Sequence, residues 1–184
     1  SVVRTGVRGG SAGPWAPGAG RIRPGYQRAN RVVNNRRMRF DHLSYAAGPE
    51  GLAAAAAMLS EQLGVDTIDG GFHPRFGTRN RLIPFRDNKY LEIVEVLEHP
   101  VAEKAPFGQV VRRRSEAGGG WLSWAVSVAD LAPFEARLGR KAVDGSRQFP
   151  DGRRLEWRQL GVKGTQADPQ LPFFLQWVSG PDLQ

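Results

Sequence analysis

Residues 70–80 read GGFHPRFGTRN, and two of them, His73 and Asn80, carry polar side chains that can bind a ligand or take part in catalysis. Strand-like runs stand on both sides of the stretch, at 65–68 and 79–85. Glycine and proline mark the segment between these runs as a turn or loop, and loops held by a rigid sheet often carry binding residues. The stretch therefore predicts a polar site supported by strands.

The stretch belongs to a strand-helix-three-strand unit. The pattern from Arg39 to Ala46 predicts the first strand, and Gly48-Pro49 opens an alanine-rich helix that stops at Gly64. Three further strands are predicted at 65–68, 79–85 and 89–96, with turns at Asp69-Gly70-Gly71 and Arg86-Asp87-Asn88. The order of elements in this unit is β-α-β-β-β.

A second unit repeats this order in the other half of the chain. A strand at 121–128 is followed by a helix that Asp130 opens and Gly139 stops. The remaining strands are predicted at 142–149, 154–162 and 172–178, and a helix at Pro106 to Glu116 lies between the two units. We predict an α+β fold, a single domain over residues 38–184 built from two βαβββ modules at about 38–97 and 120–178.

Alternation within the strands predicts which polar side chains face the same way. Leu91 and Ile93 share one face of their strand and suit packing against a helix, so Glu92 points to the opposite side. The same alternation turns His42 away from the apolar face of the first strand. A two-fold repeat would superpose the first and second modules, so we expect four polar side chains to converge: His42, Glu92, Ser123 and Gln176.

Three motifs in this order resemble the vicinal oxygen chelate superfamily, and within it the glyoxalase-like group of the glyoxalase, bleomycin-resistance and dioxygenase type. They are GGxHxxxGTxN at Gly70 to Asn80, YxE at Tyr90 to Glu92, and PFFxxW at Pro172 to Trp177. The resemblance covers about residues 38–178. It implies paired βαβββ modules whose strands form a curved mixed sheet, open as a cup around a small-molecule or metal site.

The resemblance also implies a divalent ion, of zinc, nickel, manganese or iron, held by side chains of the first and fourth strands of each module. His42 and Glu92 match the ligand positions of the first module. Ser123 and Gln176 stand where the second module usually offers histidine and glutamate, and their neutral oxygens are weaker donors. His73 is an alternative ligand, and with His42 and Glu92 it would form the two-histidine, one-carboxylate set that suits iron.

These residues define two hypotheses for function. The first is an enzyme of the isomerase, lyase or dioxygenase type that acts on a carbonyl or vicinal-oxygen substrate. Glu92 is its general base or metal ligand, and His73 is a second catalytic residue. The substrate-binding candidates are His42, Asn80, Tyr90, Ser123 and Gln176. The second hypothesis is a metal-free protein that binds or sequesters a small molecule such as a drug without transforming it.

Arginines near the central stretch have two open interpretations. Arg75, Arg79 and Arg81 flank His73 and are candidates to attract an anionic substrate. They are equally well explained as solvated surface residues. Asn80 and His73 also have a structural alternative, in which they satisfy backbone groups of the turn.

Charge divides the chain into a basic leader and a neutral body. Residues 1–37 contain eight arginines and no acidic residue, and the 18 basic side chains of residues 38–184 balance 18 acidic ones. We expect the Gly/Pro/Arg-rich leader to be disordered and to carry any nucleic-acid binding by itself. Met38 directly precedes the first strand, so we hypothesise that natural translation begins there. A native product whose intact mass retains residues 1–37 would contradict this.

Composition excludes several other classes of site. The chain has no cysteine, and therefore no disulfide, thiolate ligand or cysteine nucleophile. No phosphate loop or dinucleotide motif is present, so no nucleotide cofactor is expected. The longest apolar run, Leu52 to Leu59, is too short to span a bilayer. We expect a cytoplasmic protein with a small-molecule partner and no membrane partner, and the resemblance allows either pairing of the modules within one chain or a homodimer.

Overall fold

The computed structural model describes residues 38–180 of the 184-residue chain. Its strands are β1 (Arg39–Ala46), β2 (Ile68–His73), β3 (Thr78–Pro84), β4 (Tyr90–Val96), β5 (Gly120–Ser127), β6 (Val143–Gln148), β7 (Arg154–Leu160) and β8 (Phe173–Trp177). Its helices are α1 (Gly51–Leu63), α2 (Pro100–Lys104), α3 (Pro106–Glu116), α4 (Ala132–Leu138) and α5 (Val162–Thr165). The expected disorder of the leader, 1–37, concerns residues outside this range.

The strands form one closed barrel in the order β1-β4-β3-β2-β6-β7-β8-β5. One βαβββ module consists of β1, α1 and β2–β4, and the other of β5, α4 and β6–β8, with α2 and α3 between them. The pairs β1–β4 and β5–β8 are parallel and the other pairs are antiparallel. The α+β class with two modules and a curved mixed sheet is confirmed. The four strands of each module form one half of the sheet. The two halves pair along two seams, β1–β5 and β2–β6, and this pairing closes the expected cup into a barrel.

Helices cover the outside of this barrel. Leu52 and Leu59 of α1 pack with Ile83, Leu91 and Ile93 on the outer face of the first module. On the second module, Leu131 and the helical Phe134 pack with apolar side chains of β5, β7 and β8. These contacts occupy one set of alternate strand positions, so the other set points into the barrel. The inward set includes the polar residues of the first module.

Strand β2 departs from the sequence prediction. The expected turn at Asp69-Gly70-Gly71 lies within β2, and His73 is the last residue of that strand and not part of a loop folded over the cup. A Cβ at Gly70 would collide with Oδ1 of Asn80, and one at Gly71 would collide with the backbone oxygen of Gln148. The two glycines therefore serve close approach of β2 to its neighbours, and not a reversal of the chain.

The helix predicted between the modules is confirmed at Pro106–Glu116, whereas the short helices α2 and α5 were not expected. Helices of five and four residues have little periodicity to read from sequence. Over residues 38–180, each helix is too short or too polar to cross a bilayer.

Candidate functional site

A small cavity inside the barrel gathers the polar side chains of the first module. Its free volume is ≈ 30 Å³, which is enough for a few water molecules, so a ligand larger than this has to displace lining side chains. The lining residues are His42, His73, Phe76, Asn80, Tyr90, Glu92, Phe107, Arg147, Leu155, Trp157, Gln159, Phe173, Leu175 and Trp177. Polar groups from β1–β4 thus face a largely apolar and aromatic wall from β7 and β8.

Asp41 and His42 are consecutive in sequence, yet both are buried. Phe40 pairs with Val126 and His42 pairs with the next residue, Ala125, so Asp41 is the extra residue of a β-bulge. The Asp41 carboxylate accepts hydrogen bonds from His42 Nδ1 at 2.8 Å and Trp177 Nε1 at 2.9 Å. Burial alone would raise the pKa of Asp41, but these bonds and the charge of His42 hold it below its ordinary value.

This pairing fixes the orientation of the His42 ring. An ionised carboxylate only accepts hydrogen bonds, so the proton of neutral His42 lies on Nδ1. The lone pair of Nε2 is then directed into the cavity, where it lies 3.9 Å from Oε2 of Glu92. The ring of Tyr90 stacks on the His42 ring, with the two ring centroids 4.6 Å apart. The Asp41 pairing and the Tyr90 stack therefore fix the orientation of the ring, with Nε2 toward Glu92.

Glu92 is buried, with 5% of its surface exposed. Its Oε2 accepts a hydrogen bond from Ser44 Oγ at 3.0 Å, and its Oε1 accepts one from Asn80 Nδ2 at 2.8 Å. Burial alone would raise the pKa of Glu92, but His73, His42 and these two hydrogen bonds hold it below its ordinary value. The carboxylate is therefore ionised at neutral pH.

His73 is held as a neutral imidazole. Its Nδ1 lies 2.9 Å from Thr78 Oγ1, and its Nε2 lies 3.3 Å from Asn80 Nδ2. Burial lowers the pKa of His73 to about 4, with the charge of Arg147 acting in the same direction and that of Glu92 opposing it. Because Nε2 accepts from the Asn80 amide, the ring proton lies on Nδ1. His73 thus orients Asn80 without carrying charge.

Asn80 connects His73 to Glu92. Both hydrogens of its amide nitrogen are used, one toward each partner, and its buried Oδ1 has no hydrogen-bond partner. That oxygen lies against Gly70, where the missing side chain makes room for it. An aspartate here would place a second carboxylate beside Glu92, so the amide is the group that this position requires.

Five of the seven sequence-predicted site residues line the cavity: His42, His73, Asn80, Tyr90 and Glu92. Gln176 does not, because the inward positions of β8 are Phe173, Leu175 and Trp177. The Gln176 side chain instead accepts a hydrogen bond from the backbone nitrogen of Leu131 at 3.2 Å, beside α4. Ser123 lies opposite Ser44 at a second irregularity of the β1–β5 pair, half-buried and outside the cavity lining. The expected convergence of four polar groups is therefore wrong.

The strand register explains this correction. His42 pairs with Tyr90 and Ser44 with Glu92, whereas Ala125 pairs with Phe173 and Ser127 with Leu175. The second-module residues at the inward positions of these strands are apolar: Ala125, Phe173 and Leu175. Because both strand pairs have the same offset, a second-module pair equivalent to His42 and Glu92 has to be 50 residues apart, whereas Ser123 and Gln176 are 53 apart.

The donor set does not fit a resident divalent ion. Ala125 and Leu175 offer no ligand atom, and both oxygens of Glu92 already accept hydrogen bonds. The Nε2 atoms of His42 and His73 lie 3.9 and 3.8 Å from different oxygens of that carboxylate. Over residues 38–180, no cluster of three or more His, Cys, Asp or Glu side chains has the arrangement of a metal site. A buried arginine, Arg147, also lines the cavity and repels a cation.

Asp41 is part of the polar run Asp41-His42 in the sequence, but sequence reasoning assigned no role to it or to two other contributors, the Ser44 hydroxyl and the Arg147 guanidinium. Asp41 enters the interior only through the bulge. Arg147 stands two residues after Gly145 on its predicted strand, so the two residues face the same side of the sheet. This alternation is the signal that could have indicated an inward Arg147. Arg79 and Arg81 have side chains bonded outside the cavity, to Glu95 and Thr67, and Arg75 pairs with Asp144 at 3.6 Å. The arginine that lines the cavity is thus Arg147, and not one of the three that flank His73.

A second pocket adjoins the cavity. It has a volume of ≈ 480 Å³ and shares Phe76 and Gln159 with the smaller cavity. Arg140, Lys141 and Lys163 are also part of its lining. Phe76 and Gln159 thus lie between the two spaces.

Comparisons with known proteins agree with this architecture. A family model described as a glyoxalase-like domain matches residues 40–183. A hypothetical protein from Staphylococcus aureus is 17% identical, with a TM-score of 0.55, over 79% of this chain and 61% of that one. The chain therefore spans less than two thirds of that protein's length. A search of curated protein sequences gave no significant match.

Other similar structures are methylmalonyl-CoA epimerases. One, bound to methylmalonyl-CoA and NH4+, is 18% identical with a TM-score of 0.51, over 78% of this chain and 96% of that one. A variant of the Streptomyces coelicolor enzyme, bound to 2-nitronate-propionyl-CoA, is 18% identical with a TM-score of 0.50, over 78% and 95%. At this identity the likeness concerns the fold. By its family match, the chain belongs to the glyoxalase-like domain family.

Proposed function

We propose that this protein is an enzyme that moves a proton at a carbon next to a carbonyl group of a small molecule, with Glu92 as the base. The observation that carries the proposal is the ionised Glu92 carboxylate, buried in an aromatic cavity and held there by two neutral donors. Little water surrounds it, so a bound substrate can reach its oxygens directly, and its lowered pKa keeps it ionised and able to accept a proton.

The proposed step needs no metal. The C–H bond of the substrate breaks, its proton moves to a Glu92 oxygen, and its electron pair delocalises onto the carbonyl oxygen as an enolate. Burial raises the pKa of Tyr90 well above its ordinary value, so its hydroxyl stays protonated and can donate to that oxygen. The proton then returns from Glu92 to carbon, either to the same atom or to a neighbouring one.

His42 gives the proton a second place to reside. Its Nε2 lies 3.9 Å from Glu92, and an imidazolium formed there would stand between two carboxylates, those of Asp41 and Glu92. His42 thus lies where it can exchange a proton with the reacting groups. The proposal is consistent with the fold, because two similar structures are methylmalonyl-CoA epimerases in complex with methylmalonyl-CoA and with 2-nitronate-propionyl-CoA.

A metal-free binding protein is the second candidate. The apolar wall around Leu155, Trp157, Phe173 and Leu175 favours it, because such surfaces bind small molecules without chemistry. A dioxygenase is not proposed, because the donor set does not fit the iron that this chemistry requires.

Solvent deuterium exchange separates these candidates. Wild-type protein is incubated in D2O with 2-oxobutyrate and with S-propanoyl-N-acetylcysteamine, and exchange next to each carbonyl is followed by NMR. We expect catalysed exchange of at least one compound, and a rate about 100-fold lower in Glu92→Gln. Glu95→Gln is the matched control, because Glu95 lies on the same strand but bonds outward to Arg79. Added chelator should leave the rate unchanged.

Binding without exchange in wild-type protein would favour the non-catalytic candidate. Exchange that persists in Glu92→Gln would exclude Glu92 as the base. Loss of exchange on chelation would instead show that a metal ion takes part.

A further inference from the structure

Arg147 is a buried cation at the edge of the site. It lies on β6, is 6% exposed, and lines the cavity together with Glu92 and His73. Its cross-strand partner in the register is Leu155, which offers no charge. The cavity therefore contains a guanidinium whose strand neighbour cannot neutralise it.

The arginine that is most removed from water is also one without a counter-ion. Six partly exposed arginines of the described chain form ion pairs with carboxylates: Arg75, Arg79, Arg112, Arg153, Arg154 and Arg158. Over residues 38–180, no carboxylate lies within ion-pair distance of Arg147, and its buried Nε has no hydrogen-bond partner. A buried charge of this kind is costly unless something else completes its bonding.

The surroundings hold the guanidinium in place without neutralising it. The Arg147 Cζ lies 4.7 Å from the centre of the Phe149 ring, a cation–π contact that leaves the N–H groups free to bond elsewhere. Gly145, two residues earlier, has no side chain because a Cβ there would collide with Trp157, which forms part of the cavity wall. The strand therefore presents one fixed cation beside an aromatic surface.

We propose that Arg147 binds the carboxylate of the substrate, and that the substrate is a small oxo acid. This inference rests on the proposed function and names its substrate class. The fork of N–H groups on a guanidinium matches the two oxygens of a carboxylate. The carboxylate pairs with Arg147, and the carbon next to the oxo group faces Glu92. Proton transfer to Glu92 then leaves an enolate whose negative charge forms in the field of the same guanidinium.

The test compares 2-oxobutyrate with 2-oxobutanamide, a neutral molecule of nearly the same shape. Binding is followed by the fluorescence of Trp157 and Trp177, which line the cavity. We expect wild-type protein to bind the acid at least about tenfold more tightly than the amide, and Arg147→Met to lose this preference. Arg153→Met is the matched control, because Arg153 lies over the same Phe149 ring at 5.2 Å but is exposed and paired with Asp151.

The outcomes separate this inference from the proposed function. Glu92→Gln should bind the acid at least as tightly as wild type, because a like charge is removed, while its exchange rate falls. If Arg147→Met keeps the preference and only melts at a lower temperature, Arg147 is a structural counter-charge and the inference is wrong, even where Glu92 is confirmed as the base. If Arg147→Met does not fold, equal binding of acid and amide by wild-type protein overturns the inference equally well.

Discussion

At the scale of single residues, one extra residue in β1 creates the Asp41–His42 pair. Without the bulge, adjacent side chains would point to opposite faces, and Asp41 would lie among the outer-face residues of the strand. With it, the carboxylate holds the imidazole by Nδ1 and directs Nε2 toward Glu92. A local irregularity of the backbone thus decides which His42 nitrogen is available for chemistry.

The buried His73 leads to a prediction about pH. Burial holds the pKa of His73 at about 4 in the folded protein, whereas it is 6.5 in an exposed histidine. Below pH 6.5 the unfolded chain therefore takes up a proton that the folded protein does not. We expect this residue to lower the free energy of unfolding by up to about 3 kcal/mol as pH falls from 6.5 to 4, and to have no such effect above pH 6.5.

Two measurements check this. The imidazole resonances of His73 should show by NMR a ring that stays neutral until about pH 4. His73→Gln should flatten the pH dependence of stability in urea between pH 6.5 and 4, while His99→Asn, at the exposed cap of α2, should leave it unchanged. A His73 midpoint near 6.5 would show that the ring is solvated.

At the scale of elements, the approach of β2 to β3 depends on glycine. Asn80 on β3 reaches Glu92 and His73 only because Gly70 leaves space for its Oδ1. The GGxH stretch is therefore a packing device that supports the site. Glycine is also common in turns because it has no side chain, and for that reason the sequence pattern predicted a turn here.

Gly70→Ala should damage this arrangement. The new Cβ would displace the Asn80 amide from Glu92, so we expect a destabilisation of about 1–3 kcal/mol and a clear loss of proton-exchange activity. Chemical denaturation and the deuterium assay measure the two effects. Gly164→Ala is the matched control, because a Cβ there meets its nearest atom, Arg140 Nη1, at an ordinary 3.6 Å. Equal stability and activity in the two variants would show that Asn80 can move freely.

At the scale of the whole molecule, the two similar modules contribute different kinds of side chain to the site. The first supplies the ionisable groups and the second supplies mainly walls, because the inward positions of its first and fourth strands are apolar. Arg147 is the second module's charged contribution to the cavity among the described residues. Closure of the barrel brings these two contributions together.

The two seams of the barrel should differ in strength. Seven residue pairs are in register along β1–β5, whereas β2–β6 has the single pair Phe72–Gln148. We expect amide hydrogens at the β2–β6 seam to exchange faster than those between β1 and β5. Because the chain has no cysteine, the double variant Phe72→Cys, Gln148→Cys can form one unambiguous disulfide.

Oxidation of this double variant should stabilise it by about 2–4 kcal/mol relative to the reduced form and slow exchange at the seam. The reduced protein is the control for the substitutions themselves. Faster exchange at β1–β5 would show that β2–β6 is not the weaker seam, and an oxidised form no more stable than the reduced one would show that the bridge between these positions is strained.

Most of the architecture follows from local sequence patterns. Alternation in the strands, the alanine-rich α1 and the stops at Gly64 and Gly139 depend on neighbouring residues, so they can be read along the chain. The alternation of β4 likewise turned Glu92 inward before its partners were known. The predicted turn at 69–71 failed because glycine has the same local signature whether it reverses a chain or admits a neighbouring strand.

The sequence by itself determined the two βαβββ modules, their family, and the inward positions of His42, Tyr90 and Glu92, because these depend on periods within single elements. Only the tertiary structure decided that the inward positions of β5 and β8 hold the apolar residues Ala125, Phe173 and Leu175, that Gln176 faces outward, and that Arg147 completes the cavity. Register between distant strands and the bulge at Asp41 set these outcomes, and both arise from pairing across the barrel and not from local propensity.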